Sequence, residues 1–395
     1  MEKHTYICKL NQKECDLLYR NPHCISFFCD PSRIKLATLG TERYCQFVYK
    51  YSREFNQASV LKESNIPKRE INDIFKQKKT FLTLNDIRKY LRSEKLAGRL
   101  PNDAAKYVPR GQRPSSMLHL GQLKLFLSTL QFLLLHVPKN RKVYIVYPGS
   151  AHGYNITFLS ELFPQCDWIL IDPGNFDPRL YKNPKMTVYN CLFTDDLVRK
   201  IRKQLKGKHT LLISDIRLNP SEEDIERDNR LQEKWVRILK PTYAQLKFRI
   251  PRHLSNTYKY LSGTCYLQMF PSPASTELRL VVTGNKISNR SYDLEEVEGM
   301  MYYYNRVLRT SYYKCNYRHN CMDHCHDCVS MVEHLLKFRK MYPDHPFCKN
   351  KSLNQTVEDL LLKIPHVKVR ICRDFRNLRK ALSKKVTKHT KRYVE

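Results

Sequence analysis

A chain of 395 residues in which 42% are hydrophobic has the apolar content to bury a sizeable core, which excludes wholesale disorder. Lys and Arg outnumber Asp and Glu by 70 to 38, a formal charge of +32, and an excess of that size points to a polyanionic partner rather than a plain solvated surface. No stretch of roughly 18 consecutive apolar residues occurs, and neither a lipidation motif nor a basic amphipathic helix points to a membrane surface.

In chain order, the opening MEKHTYICKL is polar and charged and is expected to be neither a signal peptide nor an anchor. Fourteen cysteines without a secretory leader fit a reducing compartment, where they stay thiols or bind metal. Residues 1–97 form an N-terminal extension of unassigned role, ending in a charged helical stretch from Thr83 to Leu96. A connector at 98–116, with Pro101, Pro109, Gly111 and Pro114, is expected to be a linker.

From residue 117 to 284 the pattern changes. Helix Gly121–His136, apolar on most sides from Leu123 onward, precedes strand Lys142–Tyr147. Helix Tyr154–Leu162, strand Asp167–Ile171, helix Asp195–Leu205 and strand His209–Ile213 follow. Helix Ser221–Leu239, strand Tyr243–Ile250 and a late strand Glu277–Thr283 complete the series. Strands alternating with helices across short connections predict an α/β fold, a mostly parallel sheet with helices on both faces. Residues 293–345 are expected to be helical, with Met300–Arg309 and Val329–Tyr342 the clearest segments. The region 346–395 is a basic C-terminal segment, most strongly so over 370–392.

In such a sheet the ligand sits beyond the carboxyl ends of the central strands. The first strand runs into the turn YPGSAHG at 147–153, where Gly149 and Gly153 allow a close backbone approach. The second ends in Asp172, 19 residues after Gly153, placed to accept the ribose hydroxyls of an adenosine. The third ends in Asp215. The pyrophosphate-binding GxGxxG and the GxxxxGK[ST] loop are both missing here, which favours an adenosyl ligand without phosphates. A dinucleotide enzyme, or a turn with only a structural role, stays open on spacing alone.

Six stretches then carry a likeness: GQLK at 121–124, the YPGSAHG turn, WILID at 168–172, ISDIR at 213–217, LKFR at 246–249 and TELR at 276–279. In this order and near this spacing they resemble the poxvirus cap-specific mRNA 2′-O-methyltransferase and poly(A) polymerase small (regulatory) subunit family, over residues 117–345. The resemblance implies a Rossmann-like fold that uses S-adenosyl-L-methionine to methylate the ribose 2′-OH of the first transcribed nucleotide of capped mRNA. It also implies a possible second role as a processivity subunit beside a poly(A) polymerase catalytic subunit; a noncatalytic, RNA-binding subunit is the alternative. Host cytoplasm or the virion is the implied location.

The family's Lys-Asp-Lys-Glu tetrad maps onto Lys124, Asp215, Lys247 and Glu277. A ribose hydroxyl must lose its proton as it attacks, and an amine accepts it only when neutral, a state that a second ammonium nearby favours by repulsion. Lys247 is assigned as the base and Lys124 as its cationic neighbour, with Asp215 and Glu277 orienting both. Gln122, Tyr147, Gly149, Gly153 and Asp172 carry over as cofactor-binding residues, with Phe193 as an adenine wall and Asp215 beside the methionine amine. His152 and the Pro173–Gly174 pair depart from the family pattern.

For the cap, Glu298 matches the family's carboxylate and Tyr107 is the expected stacking partner. Arg252 stands where the second aromatic is expected, and it stacks unfavourably against a cationic base. Arg249, Arg252 and the basic tail are expected to touch phosphates. Cys315, Cys321, Cys325 and Cys328 form one cysteine cluster and Cys8, Cys15, Cys24 and Cys29 a looser one. Zinc ligands and packed free thiols are both open readings, since only Cys325 and Cys328 have CxxC spacing.

Overall fold

The structure, a computed structural model, describes residues 81–91, 121–217, 219, 221–254, 256–272, 275–309 and 326–364. The expected linker, the tail at 370–392 and residues 1–80 of the N-terminal extension lie outside them.

Five strands, β1 (Val143–Pro148), β2 (Cys166–Ile171), β3 (Met186–Tyr189), β4 (Thr210–Ser214) and β5 (Tyr243–Phe248), are followed by β6 (Thr257–Leu261), β7 (Thr264–Tyr266), β8 (Leu278–Thr283) and β9 (Asn289–Asp293). Seven of them form one sheet in the order β3-β2-β1-β4-β5-β8-β7, and β6 pairs with β9 in a separate antiparallel ladder. β1 to β5 are parallel, while β8 runs antiparallel to both β5 and β7. A final strand threaded back between the fifth and the edge strand, with helices on both faces, makes this a Rossmann-like methyltransferase-type sheet. The order reverses between β1 and β4, so a crevice opens beyond their carboxyl ends.

The two faces follow from the alternation of side chains along each strand. In β1, Val143, Ile145 and Tyr147 join one buried cluster and Val146 joins the other; in β4, Leu211 and Ile213 part from Leu212 in the same way. The first face is covered by α2 (Gly121–His136) and α3 (Ile156–Leu162), together with α8 (His326–Met341) and α9 (Leu353–Lys363). The second is covered by α5 (Asp195–Gln204) and α6 (Glu222–Leu239), and beyond them by α1 (Leu84–Leu91) and α7 (Leu294–Tyr303). A short α4 (Pro178–Tyr181) precedes β3. α2 is buried from Leu123 to Leu134 apart from Lys124 and Leu125, as expected of a helix apolar nearly all round.

Helix starts follow their caps. Thr194 accepts from Leu197 N at the head of α5, Ser221 from Asp224 N at α6 and Asp293 from Glu296 N at α7. Ser352 and Gln355 close a capping box on α9. The Asp293 cap explains why the expected helix at Met300 begins six residues earlier, at Leu294.

Packing extends beyond the 117–345 span on both sides. Phe81, Leu82, Leu84 and Ile87 are buried, Thr83 bridges Tyr266 on β7, and Leu267 N donates to Leu82 O at 3.1 Å. Arg88 ties α1 to α7 through both oxygens of Glu296, at 2.7 and 2.9 Å. On the other side, Val357, Leu360 and Leu361 of α9 are buried.

After α7 the chain continues as a π-helical turn, Tyr304–Leu308, and Arg309 clamps Asp327 at the head of α8 with contacts of 2.7 to 3.1 Å. Burial alone would raise the Asp327 carboxyl, but Arg309 and the adjacent His326 hold it at about 2. A carboxyl depressed in the folded state contributes stability that is complete above its unfolded value, about 3.9, and is lost as pH falls through the folded one. The stability difference between wild type and Asp327→Asn is therefore expected to shrink by roughly 2 kcal/mol between about pH 6 and about pH 2. Urea unfolding across that window measures it, and a difference constant with pH would count against the pairing.

Candidate active site

The crevice is built from strand ends. β1 leaves the sheet at Pro148, and Gly149 (φ +77°) turns the chain so closely that a Cβ there would lie 2.8 Å from the Asp215 carbonyl carbon and from Ile216 N. Only glycine allows that approach at that angle. Gly149 N donates to Ile171 O at 2.9 Å, and Asp215 N donates to Pro148 O at 3.2 Å, so the ends of β1, β2 and β4 are tied together. Gly153 (φ +76°) seats the turn against Leu180.

Asp172 follows β2 and accepts from Ala151 N at 3.1 Å and Gly174 N at 2.8 Å. A carboxylate has about four acceptor positions, so capacity remains for ribose hydroxyls. Gln122, at the start of α2, is fixed by Asn155, whose Nδ2 donates to its backbone and side-chain oxygens at 2.9 and 3.0 Å. Asn155 Oδ1 is buried and has no partner among the described residues, an acceptor just past the glycine turn. Tyr147 is buried in β1, and burial pushes its phenol well above the ordinary range. Phe193 is also buried and tilts against Trp235 at 4.8 Å, so its ring is anchored in the core behind the expected adenine position. A glycine cradle, a carboxylate at the second strand's end and an unfilled acceptor are a donor and acceptor set that fits an adenosyl ligand.

Lys124, Asp215, Lys247 and Glu277, scattered over the sequence, meet beside this turn. Glu277 Oε1 lies 3.0 Å from Lys124 Nζ and its Oε2 lies 3.8 Å from Lys247 Nζ. Lys247 Nζ is also 3.2 Å from Asp215 Oδ1. The strands dictate this meeting. Glu277 and Arg279 are two residues apart, so they share a face, and Arg279 lies directly opposite Lys247 in the β5–β8 register.

Arg279 is the residue the sequence reading passed over. Its side chain is 3% exposed, the least of the five. Its guanidinium reaches Asp215 Oδ1 at 2.7 Å, Glu277 Oε1 at 3.5 Å and Gln268 Oε1 at 3.1 Å. Gln268 also donates to the Glu277 side chain at 3.1 Å. Two like charges directly opposite on neighbouring strands repel; here Asp215 lies between Lys247 and Arg279 and offsets this. Burial would raise both carboxyls, yet Lys247 and Arg279 hold Asp215 low, and Lys124, Lys247 and Arg279 hold Glu277 well below the carboxylate range. Both stay ionised. Three cations against two carboxylates leave one positive charge in excess.

The expected cap carboxylate has a different setting. Glu298, on α7, forms a short ion pair with Arg252, which also donates from its backbone N to Glu222 at 2.7 Å and from its side chain to Thr276 at 3.2 Å. Arg249 pairs with Glu222 as well, at 2.5 Å. The arginine in the aromatic's place is thus held against the carboxylate. Tyr107, Cys315, Cys321 and Cys325 lie outside the described residues, as do Cys8, Cys15, Cys24 and Cys29; Cys328 is buried in α8. Among the described residues no three His, Cys, Asp or Glu side chains are grouped to hold a metal ion.

With this geometry in place, the comparison with known proteins is decisive. The sequence model of the family described as Poly A polymerase regulatory subunit matches residues 77–357. The chain belongs to the poly(A) polymerase regulatory subunit family. As a family member it is similar to the protein of Myxoma virus (strain Lausanne) named cap-specific mRNA (nucleoside-2′-O-)-methyltransferase, with 29% identity over 273 residues, 64% of this chain and 78% of that protein. It is similar also to the protein of that name in Fowlpox virus (strain NVSL), 33% identical over 209 residues, 48% of this chain and 68% of that one. The family match starts at residue 77, just before the buried residues that precede α1.

Proposed function

We propose that this family member transfers a methyl group from S-adenosylmethionine to the ribose 2′-hydroxyl of the first transcribed nucleotide of capped mRNA. The observation that carries the reading is the quintet of Lys124, Lys247, Asp215 and Glu277, all half-buried, around the buried Arg279 beside the Gly149 turn. Bound S-adenosylmethionine supplies an electrophilic methyl group on a sulfonium. Gln122, Asp172 and Asn155 would hold its polar ends, and the Gly149 turn would pass along its length.

Lys247 Nζ would accept the hydroxyl proton as the oxygen attacks. Its position between Asp215 and Glu277 places the amine, since the two carboxylates lie 3.2 and 3.8 Å from it as ionic partners on either side. Lys124 and Arg279 add two cations beside it, so the three cations exceed the two carboxylates by one positive charge where the proton is to be released. Further acceleration would come from in-line placement of hydroxyl and methyl.

Cap reading enters less directly. A 7-methylguanine would compete with Arg252 for Glu298, and both are cations. The family description, poly(A) polymerase regulatory subunit, supports a second, coexisting role beside a poly(A) polymerase catalytic subunit, for which host cytoplasm or the virion is the proposed place. No described helix is long and apolar enough to cross a membrane.

A methyl-transfer assay on capped and uncapped transcripts, read out by nucleoside analysis, tests the proposal. A 2′-O-methylated first nucleotide on the capped transcript is expected. Methylation of a base, or of an internal ribose, would replace it.

A further inference from the structure

The strand ends opposite the active site carry a second concentration of charge. In a parallel sheet all amino ends lie on one edge, here about 20 Å from the carboxyl ends for strands of six residues. The connectors arriving at that edge bring Lys139, Arg141 and Lys142 before β1, Lys185 before β3, and Lys206 and Lys208 before β4. Five of the six are exposed, and Lys185 is half-buried.

Their proximity is fixed by shared contacts. Lys142 and Lys208 approach the same Tyr144 ring, at 5.3 and 4.7 Å, and Lys139 lies over Tyr342 at 5.9 Å. Tyr342 in turn accepts from Gln165, the residue before β2, at 3.2 Å. The Arg141 charge helps to lower His209, after burial itself. Lys142 pairs with Asp167 at 2.6 Å, whereas Lys139, Arg141, Lys206 and Lys208 have no carboxylate partner among the described residues.

Basic residues at this edge would have a plain explanation if they sat in the last turns of the helices that end there, where they offset helix dipoles. Arg202 and Lys203 of α5 do so. The six residues above lie instead in the connectors, outside the helices, where the dipole effect fades. Half-buried tyrosines set among lysines add faces on which a base can stack.

We infer that this amino-end edge of the sheet is a second RNA-binding surface, which holds the body of a single-stranded RNA on the side of the domain away from the methyl-transfer crevice. It rests on the family member's substrate being RNA, but not on the chemistry at Lys247. A strand reaching both surfaces must wrap the domain, so short 5′ fragments engage the crevice alone.

The test is a charge-reversal variant, Arg141→Glu with Lys206→Glu and Lys208→Glu, in the full chain. RNA binding is followed by fluorescence anisotropy over a salt series, using unmodified oligomers of about 3 and about 30 nucleotides, below and above the spans of about 4–16 nucleotides that such sites cover. The variant is expected to bind the long RNA at least roughly 10-fold more weakly, with the log–log salt slope reduced by about 2, three lost contacts counting about 0.7 each. Binding of the short RNA should stay unchanged. The neutral variant Arg141→Gln with Lys206→Gln and Lys208→Gln guards against a folding defect and should show a smaller loss of the same kind. Wild-type affinity and slope for the long RNA in either folded variant would overturn the inference. So would unchanged RNA binding accompanied by lost capture of polyglutamate, which would assign the surface to acidic protein. Failure of methyl transfer in the wild type would leave these binding readouts intact, so the two readings fail separately.

Discussion

Replacing Lys247 by alanine is expected to lower methyl transfer by roughly 100- to 10,000-fold, the range for losing a positioned proton acceptor. The fold should hardly notice. Without the amine, Asp215 keeps Arg279 at 2.7 Å and Glu277 keeps Lys124 at 3.0 Å, so no carboxylate is stranded. Single-turnover methylation of a capped transcript, alongside urea unfolding of the same preparation, separates the two effects. Activity within tenfold of wild type would remove Lys247 from the chemistry; equal loss of stability and activity would make it a structural residue. An RNA affinity that stays at the wild-type level places the loss in the chemical step.

Arg279→Met should behave in the opposite sense, acting on stability as well as turnover. The methionine fills much of the volume but leaves Asp215 without its shortest ionic contact and Gln268 Oε1 without its donor. Asp215 keeps Lys247 at 3.2 Å, so the loss should fall below the roughly 3–5 kcal/mol that stranding one member of a buried pair costs. The quintet also loses its excess positive charge and the fork that positions both carboxylates, so methyl transfer should fall as well. Arg279→Lys restores a charge without the planar fork that serves three partners at once, and should recover stability only in part. Denaturant midpoints and single-turnover methylation rates for both variants check this. A methionine variant with the wild-type midpoint and rate would show that Arg279 supports neither the carboxylates nor the reaction.

The parts of the fold that were legible in the sequence are those whose signal is local. α2 is observed at its expected bounds, and β1, β2, β4 and β5 begin or end within two residues of the expected strands, because fully buried parallel strands appear as continuous apolar runs between helices. β3 was missed because MTVY at 186–189 is short and only half-buried. β6 and β9 pair across nearly thirty intervening residues, and neither has a hairpin turn to announce it. The helix α9 lay hidden in a segment whose overall charge suggested a solvated tail, though SLNQ at 352–355 is a capping box that could have marked its start.

The same division runs through the site. The turn glycines and strand-end acids could be placed from spacing, and the tetrad from ordered likeness. Arg279 could have been found by the two-residue period that puts it on the face of Glu277, once that strand was recognised. The Arg252–Glu298 pair could not, since it depends on how the segment after β5 meets α7, a contact between elements far apart in sequence.

The sheet's outermost strand, β7, is three residues long and would offer unpaired amides to any neighbouring chain. Thr83 and Leu82 occupy part of that border, and the apolar side of α1 closes over what lies beneath. A fragment cut to begin at residue 117 would keep every catalytic candidate yet lose this lid on its rim, leaving a sticky margin that invites self-association. The residues of the family match that precede 117 therefore cover an edge that would otherwise stand open to pairing.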